Sequence, residues 1–212
     1  NPLLQQVKRL FSSKKEREAA GLFAADGTKL LSEAVRYCPG LETVILSDGV
    51  EAALPEHVRL VRVPGDVMES ISPMASPQGA VFLCRLPKEP PFAAKKGMLL
   101  LDGIQDPGNL GTILRTADAL DVPVGLLEGC ADPYSQKVVR TQVITTTWEE
   151  ASRCCTQAGI PIAVTALDTQ AVDIRQADVG TMAAVIGSEG QGVRREILDA
   201  ADKKLIIPMN PH

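Results

Sequence analysis

Two glycine-rich turns hold the polar side chains of this sequence that are best placed for chemistry. The first spans residues 102–115 and carries Asn109 and Arg115, and the second spans residues 186–193 and carries Glu189. Each turn follows an apolar run typical of a buried strand and leads into a helical pattern, which is where open α/β sheets bind their ligands. The glycines allow backbone conformations that are closed to other residues. We therefore expect a ligand to touch the backbone of these turns.

The two turns do not match the common phosphate-binding signatures. Gly103 and Gly108 have the G-x-x-x-x-G spacing of a P-loop, but Asn109 and Leu110 stand where a P-loop carries Lys and Ser or Thr. The second turn spaces its glycines as G-x-x-G-x-G, whereas the dinucleotide fingerprint is G-x-G-x-x-G. A P-loop is excluded, and a nucleotide-binding enzyme of ordinary doubly wound topology is disfavoured.

Each polar residue of the turns also has a purely structural interpretation. Asn109 can cap the helix that follows it. Arg115 can pair with Asp118 three residues on, a contact worth only about 0.2–0.5 kcal/mol. Glu189 precedes a predicted helix, whose positive end favours an acidic residue. Taken one residue at a time, these interpretations stay open.

The first half of the chain is predicted to form a small α/β unit over residues 1–86. Apolar spacing predicts helices over 2–20, 28–38 and 67–71, and strands over 22–25, 43–47, 58–63 and 80–86. Residues 87–97 hold three prolines and four charged residues without periodicity, which is typical of a stiff linker. A domain boundary is therefore expected there.

The second domain, residues 98–212, is predicted to alternate strands and helices. Strands are expected over 98–101, 123–127, 160–166, 182–186 and 204–207, and helices over 112–120, 135–143, 149–158 and 193–201. Continuous apolar strands that alternate with helices predict a parallel sheet covered on both faces.

Composition narrows the class of protein. The chain has 212 residues, 45% of them apolar, and no apolar run near the ~20 residues that a membrane span needs. No apolar signal region opens the sequence, so secretion is not expected. The cysteines are Cys38, Cys84, Cys130, Cys154 and Cys155. They form no C-x-x-C pair, and neither His57 nor His212 lies at ligand spacing, so we expect reduced thiols in a cytoplasmic protein and no metal site.

Charge is distributed unevenly along the chain. The net charge is −4, but residues 1–36 hold seven basic and four acidic residues, a local charge of +3. The basic side chains Lys8, Arg9, Lys14, Lys15 and Arg17 lie in the first predicted helix. A basic face on an acidic body can bind RNA phosphates, although a solvated helix face explains the charge equally well.

Three motifs of the second domain resemble one enzyme family. The run Asn109–Arg115 is similar to the N-x-G-x-x-x-R motif of the SpoU (TrmH-like) branch of SPOUT RNA methyltransferases. Residues 186–192 resemble the second motif of that family, and residues 205–209 resemble the start of its third motif. The first half more loosely resembles the substrate-binding domain attached to many members.

The resemblance implies a fold, a reaction and partners. Members of the family have a catalytic domain with a deep trefoil knot, a rare exception to unknotted chains. They transfer a methyl group from S-adenosylmethionine to a ribose 2′-hydroxyl and act as homodimers. The implied substrate here is RNA, with ribosomal RNA favoured and transfer RNA as the other option.

The resemblance also implies roles for individual residues. Asn109, Arg115 and Glu189 are expected on the catalytic side, with no metal required. The cofactor is expected against Thr165, Ala166, Leu167, Ile186, Gly187, Gly190, Ile207, Pro208 and Met209. Because a guanidinium holds its proton tightly, Arg115 is expected to bind RNA phosphate and favour the 2′-alkoxide, with a general-base role as the alternative.

One departure from the family pattern keeps a second function class open. The family's third motif continues into a C-terminal helix that completes the knot, whereas this sequence stops at His212. The knot is therefore expected to be incomplete over these residues. A non-catalytic RNA-binding homologue that has lost its cofactor site is the alternative, and the presence of Asn109, Arg115 and Glu189 opposes it.

Overall fold

The computed structural model describes residues 1–135 and 143–208, which separate into two units. One unit comprises Asn1–Lys88 together with Tyr134, and the other comprises Glu89–Pro133 and the chain from residue 143 on. Within the described residues, no helix is long and apolar enough to cross a membrane.

The N-terminal unit is built around a mixed four-stranded sheet. Its helices are α1 (Pro2–Ser12), α2 (Lys14–Ala20), α3 (Thr28–Tyr37) and α4 (Gly65–Ile71), and its strands are β1 (Leu22–Asp26), β2 (Leu41–Ser47), β3 (Arg59–Val63) and β4 (Ala80–Arg85). The strand order is β1-β4-β2-β3. β2 and β3 are parallel, and β4 runs antiparallel to both of its neighbours.

Alternation along the strands gives this sheet two apolar faces. In β1, Leu22 and Ala24 pack with Val7 and Leu10 of α1 on one face. Their neighbours Phe23 and Ala25 pack with Leu31 and Ala34 of α3 on the other face. The ring of Tyr134 lies 5.5 Å from that of Phe23. Side chains that alternate across a strand thus bury both faces of the sheet.

The single helix predicted over residues 2–20 is wrong. Ser13 adopts an extended conformation and separates α1 from α2. Its hydroxyl accepts a hydrogen bond from the Glu16 N–H at 3.3 Å, so a serine that sequence spacing places inside a helix instead caps the second helix.

The C-terminal unit holds a seven-stranded parallel sheet, which confirms the predicted sheet type. Its strands are β5 (Leu99–Asp102), β6 (Val124–Leu126), β7 (Ile144–Thr145), β8 (Ile162–Thr165), β9 (Val172–Asp173), β10 (Ala183–Gly187) and β11 (Lys203–Ile206). Its α-helices are α5 (Pro107–Ala119), α6 (Trp148–Ala158) and α7 (Arg195–Ala200). The strand order is β7-β6-β5-β10-β8-β11-β9.

The strand order brings distant segments of sequence to one edge. β10 pairs with β5 on one side and with β8 on the other, and β8 pairs in turn with β11. Because parallel strands end at the same edge, the ends at residues 102, 187, 165 and 206 are neighbours. This edge carries the predicted ligand-binding turns.

The elements differ from the prediction mainly at their ends. Helix α5 begins at Pro107, five residues before the predicted start. The two-residue strands β7 and β9 lack a readable apolar run and were not predicted. Most of the helix predicted over 135–143, and any knot-closing segment after residue 208, lie outside the described residues.

Candidate active site

A cleft of about 590 Å³ opens at the carboxyl ends of β5 and β10. Residues 102–106 and 186–192 form much of its wall, and Asn109, Glu128 and Arg194 add polar side chains to it. Both glycine-rich turns therefore meet in one concavity. A largely pre-formed cleft with a few converging polar groups is the usual form of a small-molecule site.

A side-chain hydrogen bond joins the two turns across 80 residues of sequence. The Asn109 Nδ2 donates to Glu189 Oε1 at 2.7 Å. Asn109 is free to do so because it is not the helix cap, as one interpretation had expected. That role belongs to Asp106, whose carboxylate accepts from the Asn109 N–H at 2.7 Å. The structure thus brings Asn109 and Glu189 together, and the Glu189 carboxylate accepts its hydrogen bond from a side chain of α5.

The turn that carries Glu189 is held in a tight loop. Ser188 and Gly192 exchange two backbone hydrogen bonds, of 2.8 and 3.2 Å. A Cβ on Gly187 would lie 2.1 Å from the carbonyl carbon of Gly192, so no side chain fits there. A Cβ on Gly190 would meet nothing within 4 Å. Glycine at 187 is required by the loop itself, whereas glycine at 190 leaves space open beside the cleft.

Arg115 does not join the other two predicted catalytic residues in the cleft. It lies six residues after Asn109 on α5, which places it about 9 Å further along the axis and rotated by about 240°. Its Nη2 donates to Thr112 Oγ1 at 3.1 Å, and the pairing with Asp118 is not observed. Among the described residues, the exposed Arg115 guanidinium makes no ion pair.

An ion-pair network that sequence analysis missed lies in the wall of the cleft. Asp102, only 1% exposed, accepts from Arg194 Nε at 2.6 Å and from the Arg194 N–H at 2.8 Å. The same guanidinium contacts Glu128 at 2.7 Å and Glu196 at 3.1 Å. Asp102 follows an apolar run that predicts a buried strand, and a buried carboxylate needs a partner. This position was the sequence signal that could have pointed to the network.

The network keeps its groups charged. Burial raises the pKa of Glu128, but hydrogen bonds from its own backbone, from Arg194 and from the Trp148 N–H outweigh burial and hold that pKa below its ordinary value. Burial lowers the pKa of Arg194, while Glu128 and Asp102 more than reverse that effect. Glu128 and Arg194 therefore both remain charged near neutral pH.

The remaining predicted cofactor residues lie along the same edge of the sheet. The Thr165 hydroxyl, at the end of β8, donates to the Val185 carbonyl of β10 at 3.3 Å. The Ala166 N–H donates to the Leu205 carbonyl of β11 at 2.9 Å. These bonds bring the loops after β8, β10 and β11 side by side, although only Ile186, Gly187 and Gly190 line the cleft itself. Met209 lies outside the described residues.

Comparison with known proteins agrees with this geometry. The SpoU rRNA Methylase family model matches residues 96–212, which is more than half of the chain. The chain belongs to the SpoU rRNA methylase family. The MRM3-like substrate binding domain model matches residues 1–81 of this SpoU methylase. The chain is thus an S-adenosylmethionine-dependent RNA methyltransferase, and the catalytic interpretation of its motifs is confirmed over the non-catalytic one.

Three relatives illustrate how far the likeness extends. The 23S rRNA (guanosine(2553)-2′-O)-methyltransferase RlmP of Bacillus subtilis is 29% identical over 97% of this chain and 88% of its own. The structure of a putative RNA methyltransferase of the TrmH family from Porphyromonas gingivalis is 30% identical, with a TM-score of 0.81 over 98% and 88% of the two chains. That of an AdoMet-bound rRNA methyltransferase from Sinorhizobium meliloti is 26% identical, with a TM-score of 0.83 over 100% and 87%.

The strand-end loops of this SpoU methylase fit the cofactor chemically. Leu167 is 97% exposed and Ile207 is 53% exposed, so two large apolar side chains stand uncovered where an adenine ring is expected. The open side of Gly190 gives a ligand access to backbone groups. Among the described residues, no group of three or more His, Cys, Asp or Glu side chains is placed to hold a metal ion.

The five basic residues predicted to bind RNA have different environments. Lys8 and Lys15 are exposed and make no ion pair with any described residue, whereas Arg9 contacts Glu16 at 3.4 Å and Lys14 contacts Glu18 at 3.8 Å. The prediction for Arg17 is wrong, because this side chain is only 5% exposed and its guanidinium donates to the Leu10 carbonyl. Arg17 holds α1 and α2 together instead.

Proposed function

We propose that this SpoU methylase transfers a methyl group from S-adenosylmethionine to a ribose 2′-hydroxyl of ribosomal RNA. The observation that carries the proposal is the 2.7 Å bond between Asn109 and Glu189, which joins the first and second motifs in one cleft. Beside that cleft lie the loops after β8 and β11, where the cofactor is proposed to bind.

The loops after β8, β10 and β11 are proposed to hold the cofactor. Thr165, Ala166 and Leu167 follow β8, which lies between β10 and β11 in the sheet. Ile186, Gly187 and Gly190 offer backbone groups on one side of them, and Ile207 and Pro208 lie on the other side. Met209, outside the described residues, is proposed as a further cofactor contact. When bound, S-adenosylmethionine supplies a methyl group on a sulfonium. The chain must then align that methyl carbon with the attacking oxygen, a task of proximity and orientation.

The catalytic side is proposed to bind and polarise the ribose. Glu189 is an exposed carboxylate fixed by the amide of Asn109, and together they can orient a hydroxyl by hydrogen bonding. Arg115 is proposed to bind RNA phosphate and favour the 2′-alkoxide, since its guanidinium keeps its proton in proteins. A positive charge of this kind stabilises negative charge that develops on the ribose oxygen.

A complete site is proposed to require two copies of the chain. Arg115 is turned about 240° around α5 from Asn109, and it is exposed to solvent away from the cleft. In a homodimer, Arg115 of one copy can face the cleft of the other. The five free cysteines suit a reducing compartment, and we place the reaction in the cytoplasm.

A methyl-transfer assay tests the proposed function. Purified protein is incubated with labelled S-adenosylmethionine and either ribosomal or transfer RNA, and the digested nucleosides are analysed. We expect a single labelled 2′-O-methyl nucleoside from ribosomal RNA, abolished by Glu189→Ala and retained by Glu149→Ala, an exposed carboxylate on α6. Label on a base, or label only in transfer RNA, would contradict the proposal.

A further inference from the structure

A buried carboxylate anchors the loop that carries Glu189. Asp102 ends β5 and lies opposite Gly187 in the pairing of β5 with β10. Its carboxylate accepts two hydrogen bonds from Arg194, one from Nε at 2.6 Å and one from the backbone N–H at 2.8 Å. A carboxylate that is only 1% exposed must be hydrogen-bonded, so the contact with Asp102 strongly restricts where Arg194 can lie.

These bonds fix both ends of the segment between residues 187 and 194. The chain leaves the sheet at Gly187, beside Asp102, and returns to the carboxylate of Asp102 at Arg194. Inside the segment, the backbone bonds between Ser188 and Gly192 close the loop again. Hydrogen bonds at both ends of this segment and within it therefore fix the position of Glu189 relative to α5.

Glu128 holds the outer end of the Arg194 guanidinium. It contacts Arg194 Nη2 at 2.7 Å and accepts from the Trp148 N–H at 3.2 Å, which ties it to the start of α6. Glu196 contacts Nη1 at 3.1 Å. Each of the three nitrogens of this guanidinium therefore contacts a carboxylate, and its positive charge is compensated within the protein.

We propose that Arg194 is a positioning residue for methyl transfer: clamped between Asp102 and Glu128, it holds Glu189 where Asn109 can bind it. The inference rests on the proposed function, since it assumes that the Asn109–Glu189 pair faces the reacting groups. Arg194 acts through that pair and does not touch the ribose.

The first test compares two adjacent arginines that differ in their partners. Arg194→Gln removes the guanidinium contacts with Asp102 and Glu128 and keeps the backbone bond to Asp102. Arg195→Gln removes an equal charge that, among the described residues, pairs with Asp199 on the surface of α7. Single-turnover rates are measured at saturating cofactor and RNA. We expect a fall of about 10- to 100-fold for Arg194→Gln, because small misplacements have such effects, and the wild-type rate for Arg195→Gln. Equal rates for the two variants would overturn the proposal.

A double-mutant cycle separates positioning from general destabilisation. In an Asn109→Ala background the bond to Glu189 is already absent, so Arg194→Gln is expected to lower the rate little further. Independent, multiplying losses would show that Arg194 does not act through this pair. Should Arg194→Gln not fold, Arg194→Lys replaces it, because lysine can bind Asp102 but cannot span to Glu128 as well.

Hydrogen exchange gives a readout that does not depend on turnover. We expect faster amide exchange over residues 188–193 in Arg194→Gln and unchanged exchange in Arg195→Gln. Unchanged exchange in both variants would overturn the clamp. If the wild-type protein transfers no methyl group, the proposed function fails, and the exchange measurement still decides whether Arg194 fixes the loop.

Discussion

Arg115 is the single residue whose position says most about how the site is assembled. Its charge is exposed and, within residues 1–135 and 143–208, paired with no carboxylate, whereas Arg194 has three carboxylate partners. An uncompensated guanidinium remains available to a phosphate or a developing alkoxide. We therefore propose opposite roles for the two arginines: Arg115 binds the substrate, and Arg194 holds other residues of the protein in place.

Replacing Arg115 tests its proposed role in the reaction. Arg115→Ala is expected to lower the rate of transfer by about 10²- to 10³-fold, the usual effect of losing one group that stabilises developing charge. Its affinity for S-adenosylmethionine should be unchanged in calorimetric titration, because Arg115 does not line the cleft. Arg153→Ala, an exposed arginine on α6, is the control. Equal loss of affinity and rate would contradict the assignment.

Two of the three glycines of the second motif, Gly187 and Gly190, give a matched pair of substitutions. Gly187→Ala places a Cβ 2.1 Å from the Gly192 backbone and is expected to lower the free energy of unfolding by about 1–3 kcal/mol or more. Gly190→Ala meets no atom within 4 Å and should leave stability unchanged while weakening cofactor binding. Chemical denaturation measures the first effect. Equal denaturation midpoints for the two variants would refute the close approach at Gly187.

The three residues expected on the catalytic side were predicted from motifs that resemble a known family. The structure brings two of them, Asn109 and Glu189, within 2.7 Å of each other. Asp102 and Arg194 were not predicted, because they lie outside the residues that carry the resemblance and only the strand order brings them together. Arg17 was misassigned because a charge in sequence says nothing about burial, and its partner is a backbone carbonyl.

At the scale of elements, continuous apolar runs predicted the strands of the parallel sheet but did not define the residue at which each strand begins or ends. β5, β8, β10 and β11 were predicted within one or two residues at each end, because each is a buried run in a parallel sheet. Caps were harder to find. Ser13 and Asp106 both set a helix start through a side-chain bond to the backbone, and neither stands out from the apolar spacing alone.

The paired helices α1 and α2 give a prediction about RNA binding at this scale. Lys8 and Lys15 are exposed and make no ion pair within the described part of the chain, so Lys8→Ala/Lys15→Ala should lower the steepness of the salt dependence of RNA affinity by about 2 units. Filter binding at several salt concentrations measures this slope. Lys203→Ala, an exposed lysine at the start of β11, is the control. An unchanged slope would remove these helices from the RNA-binding surface.

At the scale of the whole molecule, we propose that the first unit binds RNA and that the second unit carries out methyl transfer. The first 36 residues carry a net +3, and the rest carries −7. The charged residues of the cleft are mostly acidic, since Asp102, Asp106, Glu128 and Glu189 outnumber Arg194. An acidic cleft is poorly suited to attract phosphate by itself. We propose that the exposed Arg115 of a second copy and the basic helices of the first unit supply the positive charge that binds RNA.

A crystal structure of the protein with S-adenosylmethionine bound would show whether the strand-end loops and the Asn109–Glu189 pair form one active site. We expect the cofactor to lie against the loops after β8, β10 and β11, with its methyl group directed towards the Asn109–Glu189 pair. A second cavity, of about 520 Å³, lies beside Met182 and Lys203, which precede or begin β10 and β11 at the amino-terminal edge of the sheet. Cofactor bound there, or bound with its methyl group facing away from Glu189, would contradict the account.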